Sequence, residues 1–308
     1  MSERLLLAIA ALAVIAGCKA LEPVSGVRGV VSPHAQVELV KGGFVLTEGP
    51  LPMADGGLLF SDLRASRIYR LDLIGEIKLH RGETNATSGL AYNPRGELLA
   101  AESGARRISV TARDGSVREL TRGDGESPLA SVDDLVADAR GGVYFTDPNA
   151  WPVVPGSKAA VYYLPPGERA ARVVEDRIVR PNGVALAPDG RTLYVDDTAG
   201  ESVYAYDVRA DGGLTNRRAL LRLRDLKPGQ ESGADGMAVD REGRIFVTTV
   251  TGVQMFDREG AYLGTIPIPQ RPTNVAFSGP GKGTLYVTAG TALYRVRMLT
   301  RGPDRPGK

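Results

Sequence analysis

Six copies of one short pattern recur along the chain, and they constrain the fold more than any other sequence feature. Each copy begins with a polar residue, continues through a short apolar stretch to a glycine-containing turn, and leads into a second apolar run. The copies begin at residues 48, 88, 133, 182, 235 and 274, at spacings of about 40 to 53 residues. Repeats of this length, rich in short apolar runs and turns, are typical of β-propellers. The sequence therefore predicts an all-β, six-bladed β-propeller.

Each copy contains enough apolar runs for a four-stranded blade. In the fourth copy the predicted strands are residues 184–187, 192–196, 202–208 and 217–223, with an Asp-Gly hairpin signal between the first two. The sixth copy supplies only three strands, the last of which covers residues 292–298. Residues 37–41 predict the missing strand, and their pairing there would leave no exposed sheet edge. We therefore expect an N-terminal strand to close the ring.

The first 18 residues resemble an export signal. One basic residue, Arg4, precedes an uncharged apolar run over residues 5–16, which is short for a membrane-spanning helix. The run ends in small residues and Cys18, the only cysteine in the chain, as in the lipidation motif of bacterial lipoproteins. An ordinary cleaved signal peptide, with an incidental Cys18, is the alternative.

These features predict the organisation of the whole chain. We expect a signal peptide over residues 1–18 ending at a lipidated Cys18, a tether over residues 19–36, the propeller over residues 37–298 and a polar tail over residues 299–308. By resemblance to lipoprotein sorting, an Asp directly after the lipidated cysteine would retain the protein in the inner membrane. In this chain that residue is Lys19. The expected location is thus the periplasmic face of the outer membrane, with the lipid as the membrane contact. The chain is expected to be a monomer, and its net charge of +2, with both signs interspersed, gives no case for nucleic-acid binding.

The residue that begins each copy is polar in all six cases and carries a side-chain oxygen. Because equivalent positions of the blades meet around the axis, these side chains are expected to converge near one mouth of the central channel. The six residues, called the head residues below, are Glu48, Ser88, Asp133, Asn182, Asp235 and Asn274.

A cluster of oxygen ligands predicts a calcium site. Ca²⁺ binds six to eight oxygens, whereas zinc prefers histidine and thiolate ligands, which these positions lack. The alternative is that polar strand starts reflect turn chemistry, since Asp and Asn favour turns. Glu48 does not fit that alternative, and three carboxylates on one axis would repel one another without a cation. Calcium is therefore expected, with other divalent cations such as Mg²⁺, Mn²⁺ or Zn²⁺ left open.

With these residues, the chain resembles the senescence marker protein 30/gluconolactonase superfamily of six-bladed propellers, from about residue 40 to residue 298. The matching segments are EGP at 48–50, DDLV at 133–136, FTDP at 145–148, RPNGV at 180–184, ADGMAV at 234–239, GVQMF at 252–256 and RPTN at 271–274. The resemblance implies a divalent metal, usually calcium, bound by Glu48, Asn182 and Asp235. We expect Asp133, as a head residue, to be a fourth metal-binding residue. It also implies that Asp235 acts as general base or nucleophile on lactones or related esters.

Three departures from the family pattern bear on substrate choice. Asp133 and Ser88 stand where members commonly have Asn, and Ser103 stands where relatives often have His. Ser88, Ser103, Arg107 and Asn274 are the expected substrate-binding residues, while for Arg107 the favoured alternative is a solvated strand end.

The leading hypothesis is a calcium-dependent lactonase of the cell envelope. A phosphotriester or aryl-ester hydrolase on the same metal site is the first alternative, because a metal polarises a phosphoryl oxygen as well as a carbonyl. A non-catalytic, ligand-binding propeller lipoprotein is the second. The sequence has no Gly-x-Ser-x-Gly elbow and no glycine-rich phosphate loop, so serine-hydrolase and nucleotide-dependent functions are disfavoured.

Overall fold

Twenty-four strands form six four-stranded antiparallel sheets in the computed structural model, which describes residues 24, 26–149 and 153–304. The first strands of neighbouring sheets contact one another in a closed ring, as the blades of a propeller do. The predicted six-bladed, all-β fold is confirmed. In the described part of the chain the helical content is limited to two 3₁₀ turns, Ser103–Ala105 and Pro280–Lys282.

The strands follow the chain blade by blade. Blade one contains β2 (Thr47–Pro52), β3 (Leu58–Asp62), β4 (Arg67–Leu71) and β5 (Ile77–Gly82), and blade two contains β6 (Thr87–Tyr92), β7 (Leu98–Glu102), β8 (Arg107–Thr111) and β9 (Val117–Thr121). Blade three contains β10 (Leu135–Ala137), β11 (Val143–Asp147), β12 (Ala160–Leu164) and β13 (Arg172–Glu175), and blade four contains β14 (Pro181–Leu186), β15 (Thr192–Asp197), β16 (Ser202–Val208) and β17 (Leu214–Arg222). Blade five contains β18 (Met237–Val239), β19 (Ile245–Thr249), β20 (Gly252–Phe256) and β21 (Tyr262–Ile266), and blade six contains β22 (Pro272–Ser278), β23 (Thr284–Ala289), β24 (Ala292–Arg297) and β1 (Val37–Gly42).

Turn chemistry and burial between blades explain these strands. In blade four the Asp-Gly turn reverses the chain: the Gly190 amide donates to Ala187 O, and Gly190 adopts a φ of +70° that a glycine reaches without strain. The apolar core lies between adjacent blades; Leu99 of blade two, for example, packs in one cluster with Phe145 of blade three. Because each blade is covered on both faces, strands such as β3 are buried along their whole length.

The ring is closed by the N-terminal strand, as predicted. β1 pairs antiparallel with β24, with Val37 opposite Val296 and Gly42 opposite Ala292. This pairing gives the sixth blade its fourth strand and covers the edge that β24 would otherwise expose.

The expected tether and tail differ from the structure, because much of both segments packs on the propeller. Val30 and Val31 are almost fully buried in the cluster between blades five and six. The Leu299 amide donates to Val30 O, and the buried Thr300 hydroxyl donates to Asp240 Oδ2. Valines before β1 supply apolar area that a flexible tether would leave in water. The folded body therefore extends beyond residues 37–298 on both sides.

The predicted signal peptide and Cys18 lie outside the described residues. Within the residues that the structure describes, no helix has the length and apolarity needed to cross a bilayer.

Candidate functional site

The first strand of each blade lines the central axis, and the head residues lie at one end of these strands. Glu48, Ser88, Asn182 and Asn274 lie within the starts of β2, β6, β14 and β22, while Asp133 and Asp235 stand two residues before β10 and β18. The carboxylates of Glu48, Asp133 and Asp235 lie close enough to interact electrostatically. The fold thus brings these residues together from different blades, as the repeat predicts.

Carboxylates at the ends of second strands hold the segments that enter the axial strands. Asp62 accepts hydrogen bonds from the Val45 and Leu46 amides, three and two residues before Glu48. Asp147 and Asp197 do the same for the segments that lead to Asp133 and Asn182. Because an ionised acceptor makes stronger hydrogen bonds than a neutral one, these contacts fix where the head residues lie.

Glycine follows the head residue in four blades because neighbouring blades approach too closely there for a side chain. A Cβ on Gly183 would overlap the main-chain oxygen of Asp235, and one on Gly236 would overlap the side chain of Asn274. Gly49 and Gly89 are equally confined by the main chain at Ser88 and Asp133. These glycines allow the head residues of successive blades to meet.

Hydrogen bonds orient several head side chains. The Ser88 hydroxyl donates to Asp133 Oδ1, and the side-chain amide of Asn274 donates to Glu48 Oε2 at 3.3 Å. The main-chain amide of Gly49 also donates to Glu48 Oε2, at 2.9 Å. Asn182 Oδ1, by contrast, is buried and accepts no hydrogen bond from any described group.

The site is strongly acidic, and its electrostatics disfavour full ionisation. Burial, followed by the charge of Asp133, raises the pKa of Glu48 to about 8. Burial, followed by the charges of Glu48 and Asp133, raises the pKa of Asp235 well above its usual range, while Arg271 opposes this shift. A positive charge at the site would offset the repulsion between these carboxylates.

The head residues differ in their exposure. Glu48, Ser88, Asn182 and Asn274 are buried, whereas Asp133 and Asp235 are only partly buried. Asp133 and Asp235 are therefore the head residues that are most exposed to solvent.

The donor set fits a divalent cation. An uncompensated buried oxygen on Asn182 and mutually repelling carboxylates on Glu48 and Asp235 are what a hard cation would satisfy. In the described part of the chain, no three Asp, Glu, His or Cys side chains by themselves form a metal-holding group. A site here therefore depends on the Asn182 amide oxygen, and the calcium-ligand set stays a prediction.

The structure places Ser103 near the site and holds Arg107 within its own blade. The Ser103 amide donates to Ala86 O, two residues before Ser88, at the same end of blade two. The Arg107 guanidinium lies 2.8 Å from Glu102 and 3.7 Å from Glu119. A contact between Arg107 and a substrate would require these ion pairs to break.

Three residues near the site were missed by the sequence analysis. Asp134 and Asp196 are buried carboxylates that interact electrostatically with Glu48 and Asp235 respectively. Arg271 is an exposed cation whose charge reaches Asp235. Departure from the repeat could have revealed two of them, because Asp134 replaces the usual glycine and Asp196 replaces a small residue or threonine.

A wide cavity of about 670 Å³ lies at the other end of the blades. Met53, Tyr92 and Arg113 are among its lining residues, and no head residue contributes to it. The acidic site is thus separate from this cavity.

Comparison with known proteins identifies relatives over most of the chain. A family model described as SMP-30/Gluconolactonase/LRE-like region matches residues 46–291. A gluconolactonase from Zymomonas mobilis is 28% identical over 304 residues, covering 89% of this chain and 84% of the relative. A pentonolactonase from Haloferax volcanii is 30% identical over 251 residues, covering 79% of this chain and 81% of the relative.

A solved structure agrees with these matches. A gluconolactonase from Xanthomonas campestris superimposes with a TM-score of 0.77 at 30% identity, covering 86% of this chain and 90% of that one. The family match over residues 46–291 spans the positions of all six head residues.

Proposed function

Since the chain belongs to the SMP-30/gluconolactonase/LRE-like family, we propose that it hydrolyses lactones with the help of a divalent cation held at the axial site. The observation that carries this proposal is the placement of two interacting carboxylates on the axis, that of the partly buried residue Asp235 beside that of the buried residue Glu48. The buried Asn182 Oδ1 completes an oxygen set suited to calcium.

The proposed ligands are Glu48, Asn182 and Asp235, with Asp133 adding charge beside them. Polarisation of the substrate carbonyl is what a bound divalent cation supplies in such a site. Glu48 accepts hydrogen bonds from the main-chain amide of Gly49 and the side-chain amide of Asn274, so its carboxylate is oriented before any ligand arrives.

Asp235 is the proposed general base. Its carboxylate takes a proton from a water molecule as that water adds to the carbonyl carbon, and the ring C–O bond then breaks. The proton passes to the leaving ring oxygen, and the product is a hydroxy acid. Because burial, Glu48 and Asp133 raise the pKa of Asp235, its ionised form at neutral pH needs positive charge nearby. Arg271 supplies part of that charge.

The direct test is an activity screen of purified protein lacking residues 1–18. We expect hydrolysis of sugar-acid lactones with calcium present and its loss after chelation by EDTA. Turnover of phosphotriesters or aryl esters alone would indicate the alternative hydrolase, and calcium binding with no turnover of any ester would indicate a binding protein.

We propose in addition that the protein is an exported lipoprotein. The support is the apolar run ending at Cys18. Metabolic labelling with a fatty acid, lost on Cys18→Ser substitution, is the expected result; labelling that persists in the variant would contradict it.

Stability of the metal-free protein is expected to fall as pH rises from about 5 to 8. The pKa of Glu48 is about 8 in the folded protein against 4.5 as its ordinary value, so the folded state holds the proton more tightly. Its stabilising contribution is complete below the unfolded pKa and is lost as pH rises through the folded pKa. Melting temperatures in EDTA at pH 5 and pH 8 measure this dependence of stability on pH.

Calcium should reverse the fall in stability with rising pH, because the cation favours the ionised carboxylates and its binding releases protons. An EDTA-treated protein that melts higher at pH 8 than at pH 5 would contradict the assigned electrostatics.

Asp133→Asn is expected to weaken calcium binding by roughly tenfold while leaving the fold intact. The substitution keeps an oxygen at the position but removes one negative charge, and ligand charge controls calcium affinity. Hydrolysis of lactones that carry a carboxylate should rise, since repulsion of the substrate falls. Calorimetric titration and initial rates measure both effects.

The matched control is Asp189→Asn, a charge removal in the exposed hairpin turn of blade four. It should bind calcium as the unmodified protein does. Equal calcium affinity in both variants would mean that Asp133 has been given the wrong role.

A further inference from the structure

One position of the repeat is chemically different in blade four. The fourth residue of the second-strand motif is small or hydroxyl-bearing in five blades and is an aspartate in blade four. The residues at this position are Ser61, Ala101, Thr146, Asp196, Thr248 and Thr288.

At three of these positions a hydroxyl connects neighbouring blades. The Ser61 and Thr146 hydroxyls each donate at 2.6 Å to a main-chain oxygen of the next blade's axial strand, at Ser88 and Asn182. Thr248 makes the equivalent contact at 3.1 Å, to Thr273 O. An ionised aspartate accepts hydrogen bonds and cannot donate one, so Asp196 cannot make this contact.

Blade four makes the connection with another residue. The Thr198 hydroxyl, two positions further along, donates at 2.7 Å to Ala234 O in the segment that leads to Asp235. The carboxylate of Asp196 is therefore not needed to join blades four and five.

Asp196 instead lies against the axial site. It is fully buried, and its Oδ1 accepts a 3.0 Å hydrogen bond from the Gly183 amide, next to Asn182. A Cβ on Gly183 would lie 2.5 Å from Asp196 Oδ2 and would also overlap Asp235 O. The carboxylate thus lies where the segments carrying Asn182 and Asp235 meet.

A buried carboxylate at this point is costly for the metal-free protein. Asp235 already lies beside Glu48 and Asp133, and Asp196 adds a further negative charge to the same group. Like charges held close together repel one another, and a bound divalent cation would offset the repulsion among these carboxylates.

We propose that Asp196 is a positioning residue of the cation site, which fixes the Asn182–Gly183 segment and supplies negative charge that strengthens binding of a divalent cation. This inference rests on the cation site of the proposed function, but it does not depend on lactones being the substrate. Asn182, whose buried Oδ1 accepts no hydrogen bond from the described residues, is the ligand that it positions.

The test compares Asp196→Asn with the unmodified protein in two measurements. Asn keeps an oxygen that can accept from Gly183 N and removes the charge. We expect calcium affinity in calorimetric titration to fall about 10- to 100-fold, the usual effect of removing an outer-shell partner of a metal ligand. In EDTA the melting temperature should rise, because a buried like charge has been removed.

Asp240→Asn is the matched control. Asp240 is also buried, but it accepts hydrogen bonds from the Glu242 and Arg244 amides in the turn that follows β18, at the opposite end of that strand from Asp235. Its variant should melt lower in EDTA and keep calcium affinity within about threefold per folded molecule, a shift well below the outer-shell effect. A second variant, Asp196→Thr, introduces the residue that three other blades carry and should also lose calcium affinity.

Each result decides the inference. Calcium affinity of Asp196→Asn within threefold of the unmodified protein, or a melting temperature in EDTA that falls as in Asp240→Asn, would overturn it. An unmodified protein that binds no calcium, magnesium or manganese would overturn both the cation site and this inference. Calcium binding that depends on Asp196, without hydrolysis of any lactone, would leave the inference standing and overturn only the proposed function.

Discussion

Asp235→Asn is expected to reduce lactone hydrolysis by about 10²- to 10⁴-fold even when calcium is saturating, the range that a general base contributes. The change keeps the size of the side chain and one metal-binding oxygen but removes the group that accepts the proton. Since burial and its acidic neighbours already disfavour the charged form of Asp235, the variant should fold and melt at least as high as the unmodified protein in EDTA.

Initial rates at several calcium concentrations separate the two roles of this residue. If Asp235 were only a ligand, added calcium would restore the rate of the Asn variant. Asp189→Asn, in an exposed turn of the adjacent blade, serves as the charge-matched control and should retain full activity. Full activity of Asp235→Asn at saturating calcium would show that the base lies elsewhere.

Gly183→Ala is expected to disrupt both the fold and the site. The added methyl group would overlap the main-chain oxygen of Asp235, which cannot move aside as the end of a flexible side chain could. Overpacking of this kind costs about 1–3 kcal/mol or more. The melting temperature should fall on the order of 5 to 10 °C, because each kcal/mol shifts it by a few degrees in a domain of this size.

Gly82→Ala is the matched control for this overlap. A Cβ there meets no atom within 4 Å, and Gly82 does not have a positive φ. Thermal melting and calcium titration of both variants measure the effect. A Gly183→Ala protein that melts within 2 °C of the Gly82→Ala protein would show that the blades do not need their close approach at the axis.

The propeller could be predicted from the sequence because the signals for its strands and turns lie in neighbouring residues. Each blade repeats the same strand, Asp-Gly-type turn and strand, and hairpin geometry follows from neighbouring residues. Counting strands in the sixth copy also predicted the pairing of β1 with β24. Packing of Val30 and Val31 was not predicted, because short apolar stretches outside the repeat give no periodic signal.

The site was predicted in part, for a related reason. Equivalent positions in a repeat must meet at the axis, so Glu48, Asp133 and Asp235 could be placed together from their register. Asp196 departs from the residue type found at its position in the other blades. Its importance depends on its contact with Gly183, which only the folded structure reveals. The reason for glycine after four of the head residues was likewise hidden, since the sequence alone suggests a turn where the structure has close approach between blades.

Closure by β1 and β24 also sets an order of events during synthesis. Gly42 pairs with Ala292, 250 residues later in the chain (292 − 42). At translation rates of about 5–20 residues per second, β1 emerges from the ribosome roughly 10 to 50 seconds before its partner exists. During that interval it is an unpaired strand, and the charges of Glu38 and Lys41 discourage it from pairing with another chain. The ring can be completed only when the last blade has been made, so the first strand synthesised is the last to be secured.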